Sequence, residues 1–81
     1  MRIAVNFFSY FKDLAGCAQS SEELPDGSTL DALLQKCLEH HPKLVAMKSS
    51  MLVAVGLDYQ LRSHVLKDGD EVSLFPPVQG G

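Results

Sequence analysis

The residues with the clearest chemical potential form the carboxyl end of the sequence. The last two are glycines, and because neither has a Cβ atom, they fit a channel too narrow for a side chain and would present a bare carboxylate at its bottom. The two prolines before them favour extended polyproline geometry, so the tail should leave the body stiffly and reach roughly 20 Å. The expected tail consists of Pro76, Pro77, Val78, Gln79, Gly80 and Gly81.

Two cysteines are the candidate nucleophiles. Cys17 and Cys37 are too few and too widely separated for a disulfide framework or a zinc site, so we interpret both as free thiols. A thiol of lowered pKa could carry sulfur as a persulfide. However, Cys37 falls on the apolar face of a predicted helix, where an inert core thiol is expected.

The histidines do not predict a metal site. His40 and His41 occupy adjacent helical positions, which point in different directions and cannot bind one metal together. We interpret them as a solvated helix end near the negative end of the helix dipole. His64 has no evident partner, and no serine, histidine and acid constellation stands out.

The elements that must position the tail begin with a strand at residues 2–8. Alternation puts Ile3, Val5 and Phe7 on one face, toward the core. Ser9 is expected to cap a short helical turn, and Gly16 to end it in a left-handed conformation.

A polar segment at residues 18–24 predicts an edge strand, because residues such as Glu22 and Glu23 discourage unwanted pairing. A tight turn at 25–27 leads into an amphipathic helix over 28–41, which begins at a capping box that starts with Ser28 and ends before Pro42. Its apolar positions recur at helical spacing: Leu30, Leu33, Leu34, Cys37 and Leu38.

Three further strands are expected after an irregular stretch at 42–50. Residues 52–57 predict a central strand, 59–61 a short return strand, and an Asp-Gly turn leads into 71–75, where Val72 and Leu74 face inward. The order of elements indicates an α+β sheet with one long helix packed across it. The strand parities then place Phe8 and Phe75 on the opposite, uncovered face, where Tyr59 of the return segment would join them to form a candidate docking patch for a partner.

Composition limits the function classes. A chain of 81 residues that is 46% hydrophobic and 21% charged is typical of one globular domain with a thin core, in which a self-contained enzyme would be unusual. A net charge of -3 argues against nucleic acid and anionic membrane surfaces as partners. The first apolar run is too short for a transmembrane or signal segment, so we expect a cytoplasmic protein.

Three motifs at the end of the sequence are Leu66-Lys67-Asp68-Gly69-Asp70-Glu71-Val72, Phe75-Pro76-Pro77-Val78 and Gly80-Gly81. Together they resemble the family of small subunits of molybdopterin synthase, and the resemblance covers the full length in the order of strands and helix. It implies the β-grasp, ubiquitin-like fold, with a domain at residues 1–75 and an extended tail at 76–81.

The resemblance also implies a function. In that family a ubiquitin-activating-like adenylyltransferase adenylates the terminal glycine, which receives sulfur as a thiocarboxylate and donates it to a pterin precursor in the large synthase subunit. The same is implied for Gly81. The sequence has no Gly-rich phosphate loop, so ATP and the sulfur donor would be used by the activating partner, and no cofactor is expected on this chain. We therefore expect a non-catalytic sulfur-donor subunit in molybdenum cofactor biosynthesis, assembled as two small and two large subunits.

Other functions remain open from the residues alone. The same activation chemistry would serve a sulfur carrier for thiamine thiazole synthesis or a modifier whose glycine forms isopeptide bonds. A plain ubiquitin-like interaction module would bind partners only through the candidate docking patch. The resemblance favours contact of this patch and of the tail with the activating enzyme and with the large subunit.

Overall fold

The computed structural model describes residues 1–77, which form a five-stranded mixed sheet with helices packed on one face. Within that part of the chain, no helix has the length and apolar character needed to cross a membrane. The elements in chain order are β1 (Arg2–Phe7), α1 (Phe11–Ala15), β2 (Gln19–Glu23), α2 (Leu30–His40), a 3₁₀ helix (Pro42–Met47), β3 (Leu52–Val55), β4 (Asp58–Tyr59) and β5 (Glu71–Phe75).

The strands lie in the order β2-β1-β5-β3-β4, with β1 and β5 parallel and the other neighbours antiparallel. The register pairs Val5 with Val72 and Phe7 with Leu74, and all four side chains are buried. Because paired residues project to the same face, the alternate residues of β1 and β5 form one apolar face of the sheet. The predicted inward-facing residues of both strands are confirmed.

Helix α2 covers this apolar face. Its buried residues recur at helical spacing and belong to the same core cluster as the strand side chains. The cap is Thr29, whose Oγ1 accepts a hydrogen bond from the Ala32 N–H at 3.3 Å, whereas the Ser28 hydroxyl donates to the Pro25 carbonyl. The predicted start at Ser28 was therefore early. At the other end, His41 leaves the helix because the residue before a proline is disfavoured in the helical region.

Two local predictions were wrong and one is confirmed. Ser9 does not cap α1: it has a φ of 55°, and Tyr10 occupies the cap position without a side-chain bond. The middle strand is β5, between β1 and β3, because the chain returns in parallel to β1 after the β3–β4 hairpin. Gly16 does end α1, with a φ of 80° and its N–H bonded to the Lys12 carbonyl.

The predicted edge strand is β2, but one of its acidic residues is not exposed. Glu22 is opposite Ile3 in the antiparallel β1–β2 ladder, so it shares the inward face and is only 3% exposed. Glu23 points to solvent and forms an ion pair with Arg2 at 2.9 Å. This exposed pair lowers the pKa of Glu23 through its hydrogen bond to Arg2. The charge that discourages edge pairing is therefore carried by Glu23.

Candidate functional site

The tail predicted from the sequence follows the middle strand of the sheet. Phe75 is the last residue of β5 and pairs with Leu52 of β3. The ladder ends here because Pro76 and Pro77 have no N–H to donate. Both prolines are half-buried, and the remaining predicted tail residues lie outside the described residues: Val78, Gln79, Gly80 and Gly81.

Three aromatic side chains meet beside the start of the tail. The ring of Phe8 stacks on Phe75, with centroids 4.6 Å apart and 8° between the planes. Tyr59 approaches the same Phe75 ring at 6.4 Å and 74°. Phe8 follows β1, Tyr59 ends β4 and Phe75 ends β5, so three separate parts of the sheet build one cluster. The structure brings together Phe8 and Phe75, which strand parity placed on one face, and adds Tyr59 from the return strand.

This cluster remains open to solvent. Phe8 is 41% exposed and Tyr59 is 68% exposed, while Phe75 is half-buried between them. Full burial of an exposed side chain of this kind contributes roughly 1.5 to 3 kcal/mol, and a partner would gain the share that belongs to the surface still exposed. The three residues therefore form an exposed aromatic patch next to Pro76, and we call them the aromatic face.

Two exposed leucines on either side of Tyr59 in the chain were not predicted from the sequence. Leu57 is fully exposed in the turn before β4, and Leu61 is 78% exposed just after it. Both flank Tyr59 at two residues' distance along the chain. The sequence pattern that could have predicted them is this spacing of large apolar residues around an aromatic residue in an otherwise polar segment.

The two thiols differ in their surroundings. Cys37 is completely buried in the core cluster, and this burial raises the pKa of its thiol to about 12. Such a thiol is protonated at neutral pH and is a poor nucleophile, which supports the interpretation of an inert core cysteine. Cys17 is half-buried, and its Sγ lies 4.0 Å from the Ala15 carbonyl oxygen.

The histidines at the end of α2 are not simply solvated. His40 remains half exposed, but its Nδ1 lies 3.0 Å from a carboxylate oxygen of buried Glu22. His41 is half-buried, and its Nδ1 lies 3.1 Å from the Ala15 carbonyl oxygen. A Glu22 oxygen, the Cys37 Sγ and one His41 ring nitrogen lie within 4.8 Å of one another, so these three residues can hold a metal ion. The sequence did not predict this cluster.

Comparisons with known proteins show similarity in sequence and in fold to sulfur carrier proteins. A sequence model of the ThiS family matches residues 5–81. The molybdopterin synthase sulfur carrier subunit of Chlamydomonas reinhardtii is 34% identical, with the whole of both chains aligned. The crystal structure of SAMP1 from Haloferax volcanii matches all of both chains with a TM-score of 0.92 at 21% identity, which indicates a common fold. A chain of the solved complex of subunits 1 and 2 of the molybdopterin-converting factor from Helicobacter pylori aligns over its whole length with the whole of this chain, with a TM-score of 0.71 at 26% identity.

Proposed function

Since the chain belongs to the ThiS family, we propose that Gly81 is the residue on which it carries sulfur for a molybdopterin synthase. The family, the β-grasp fold and the role of a sulfur carrier subunit, all predicted from the sequence, are confirmed by these similarities. The chain is the non-catalytic small subunit of this two-subunit sulfurtransferase. We propose in addition that Gly81 is the reacting residue and that partner proteins supply the activation by ATP.

The observation that carries the proposal is the position of the glycine pair. The family match extends through Gly80 to Gly81. In the sequence, a short segment that begins with two prolines separates these glycines from the middle strand. A tail that starts beside the aromatic face can enter the active site of a partner while the sheet stays docked outside. Glycine suits such a channel because it has no side chain.

The proposed chemistry at Gly81 has two steps. A carboxylate oxygen of Gly81 attacks the α-phosphorus of ATP on a ubiquitin-activating-like adenylyltransferase, and pyrophosphate leaves. A hydrosulfide ion supplied by the sulfur donor then attacks the acyl carbon, AMP leaves with the electrons of the broken C–O bond, and loss of the S–H proton gives the thiocarboxylate. The terminal sulfur is the nucleophile that is passed to the pterin precursor.

The proposed acceptor complex contains the large subunit of the synthase. The solved Helicobacter pylori complex of subunits 1 and 2 supports a large-subunit partner, and we propose a heterotetramer of two small and two large subunits. The aromatic face of Phe8, Tyr59 and Phe75 would dock on the large subunit while Pro76 and Pro77 direct the tail inward. Nucleic acid and membranes are not proposed as partners, and a cytoplasmic location stays a prediction.

The test is activation in vitro. The purified chain is incubated with a molybdopterin-pathway adenylyltransferase, ATP and a sulfur donor, and its intact mass is measured. We expect replacement of one oxygen by sulfur at Gly81. A variant with one residue added after Gly81 serves as the matched control and should stay unmodified.

Other results would redirect or reject the proposal. If the Chlamydomonas relative is charged in the same reaction while this chain remains unmodified, Gly81 is not a sulfur carrier for this pathway. Charging without sulfur transfer to the pterin precursor on a large subunit would favour the thiazole pathway. Adducts linked to lysines of other proteins would favour a protein modifier.

A further inference from the structure

A second group of chemically capable side chains lies on the helical side of the sheet, away from the aromatic face. Glu22 projects inward from β2, Cys37 from α2, and His41 follows α2 directly. Their potential ligand atoms, an oxygen, a sulfur and a nitrogen, all lie within 4.8 Å of one another. None of these residues has a part in the proposed chemistry of Gly81.

The burial of Glu22 is the feature that needs an explanation. Its side chain is only 2% exposed, although it stands opposite Ile3 where an apolar residue would extend the core. Burying a carboxylate is costly unless it is paired. His40 supplies one partner at 3.0 Å, but this imidazole is half exposed and carries a charge only when protonated. A cation bound beside Glu22 would compensate the buried charge fully.

The surrounding contacts orient these side chains as the outer contacts of metal sites do. The Ala15 carbonyl can only accept a hydrogen bond, so Nδ1 of His41 donates to it at 3.1 Å and Nε2 keeps its lone pair. The Phe7 and His41 rings pack in a T-shaped arrangement, with centroids 5.0 Å apart and 68° between the planes. The Nδ1 atom of His40 lies 3.0 Å from a carboxylate oxygen of Glu22 and so helps to orient that carboxylate. Metal ligands are typically held by a carbonyl or another side chain through such second contacts.

We propose that Glu22, Cys37 and His41 form a binding site for a divalent transition metal ion of the zinc class. A mixed oxygen, sulfur and nitrogen set suits Zn²⁺, whereas Mg²⁺ and Ca²⁺ prefer oxygen alone. Three protein ligands leave the fourth tetrahedral position for water. Ligand atoms around Zn²⁺ stand within about 4 Å of one another, so side-chain shifts of roughly 1 Å complete the site.

Binding at this site releases a proton. The Cys37 thiol, which is protonated in the metal-free chain, loses its proton to solvent as the Cys37 Sγ–metal bond forms. No electron is transferred. The bound ion would connect β2 to the end of α2, and through the Ala15 contact to the end of α1. The site is therefore a structural clamp on the helical side that leaves the tail free.

The experiment is titration of the reduced, metal-free full chain with cobalt(II) chloride, followed by absorption spectroscopy and then by competition with zinc chloride. We expect one ion per chain, a thiolate-to-cobalt charge-transfer band and displacement by zinc. Cys37→Ser and Glu22→Gln should each weaken binding at least about ten-fold, a typical size for the loss of a contact to a metal. His41→Gln should do the same.

Matched variants keep the result decisive. Cys17→Ser and His64→Gln change the same residue types outside the cluster and should bind cobalt as the wild type does. Thermal melts without metal verify that each variant folds, and zinc should raise the melting temperature of the wild type but not of Glu22→Gln. Absence of the thiolate band, or equal weakening by Cys17→Ser and Cys37→Ser, would overturn the proposed ligand set.

Discussion

Phe8 and Phe75 stack face to face, with centroids 4.6 Å apart, on the open side of the sheet. One ring follows the first strand and the other ends the last strand, directly before Pro76. The parallel pairing of β1 and β5 creates this contact, because the end of β1 is adjacent to the end of β5 only in that orientation. The stack therefore couples the aromatic face to the start of the tail.

The Phe75→Ala variant should bind the large synthase subunit about ten-fold or more weakly, since loss of one buried aromatic removes more than 1.4 kcal/mol. Val45→Ala is the matched control, because Val45 is 54% exposed on the 3₁₀ helix away from this face. Calorimetric titrations give the affinities and thermal melts verify folding. Unchanged affinity with an intact melt would reject the docking role of the aromatic face.

The Gly81→Ala variant should bind the large subunit almost normally and transfer sulfur poorly. A glycine tail buries little apolar area and loses much backbone freedom in a channel, so its net contribution to affinity is near zero. An added Cβ nevertheless obstructs a narrow channel. Single-turnover assays with the charged carrier measure the transfer. A variant that keeps full turnover would show that the channel tolerates a side chain.

The two cysteines should differ in alkylation. In the native, metal-free chain, iodoacetamide should modify half-buried Cys17 at least about ten-fold faster than Cys37, because the thiolate is the nucleophile and burial suppresses it. Peptide mapping by mass spectrometry gives both rates. In denaturant the two alkylation rates should converge. Fast alkylation of Cys37 in the folded chain would contradict its burial in the core.

Stability should fall in alkaline solution through Cys37. Burial raises the pKa of this thiol from its ordinary value of 9.0 to about 12, so the folded chain holds the proton more tightly than the unfolded chain does. The stabilisation is complete below pH 9.0 and is lost as the pH rises toward about 12. Urea denaturation across this window should show a steeper loss for the wild type than for Cys37→Ala. Cys17→Ala should follow the wild type.

Much of the fold is readable from local patterns. The alternation of Ile3, Val5 and Phe7 correctly predicted the buried face of β1, and the spacing of apolar residues correctly predicted α2. The errors concern element ends, the burial of Glu22 and the choice of the middle strand. Thr29 rather than Ser28 caps α2, because the turn before the helix uses the Ser28 hydroxyl for the Pro25 carbonyl. Two adjacent cap candidates cannot be distinguished without the path of the preceding turn.

The sequence by itself determined the inward faces of β1 and β5, because side-chain alternation is a property of the local chain. Only the tertiary structure decided which distant residues meet. Phe8 reaches Phe75 through the parallel pairing of the first and last strands, and Glu22 reaches Cys37 through the packing of α2 on β2. These contacts depend on strand order and register, which are set by burial of the whole core rather than by any short segment.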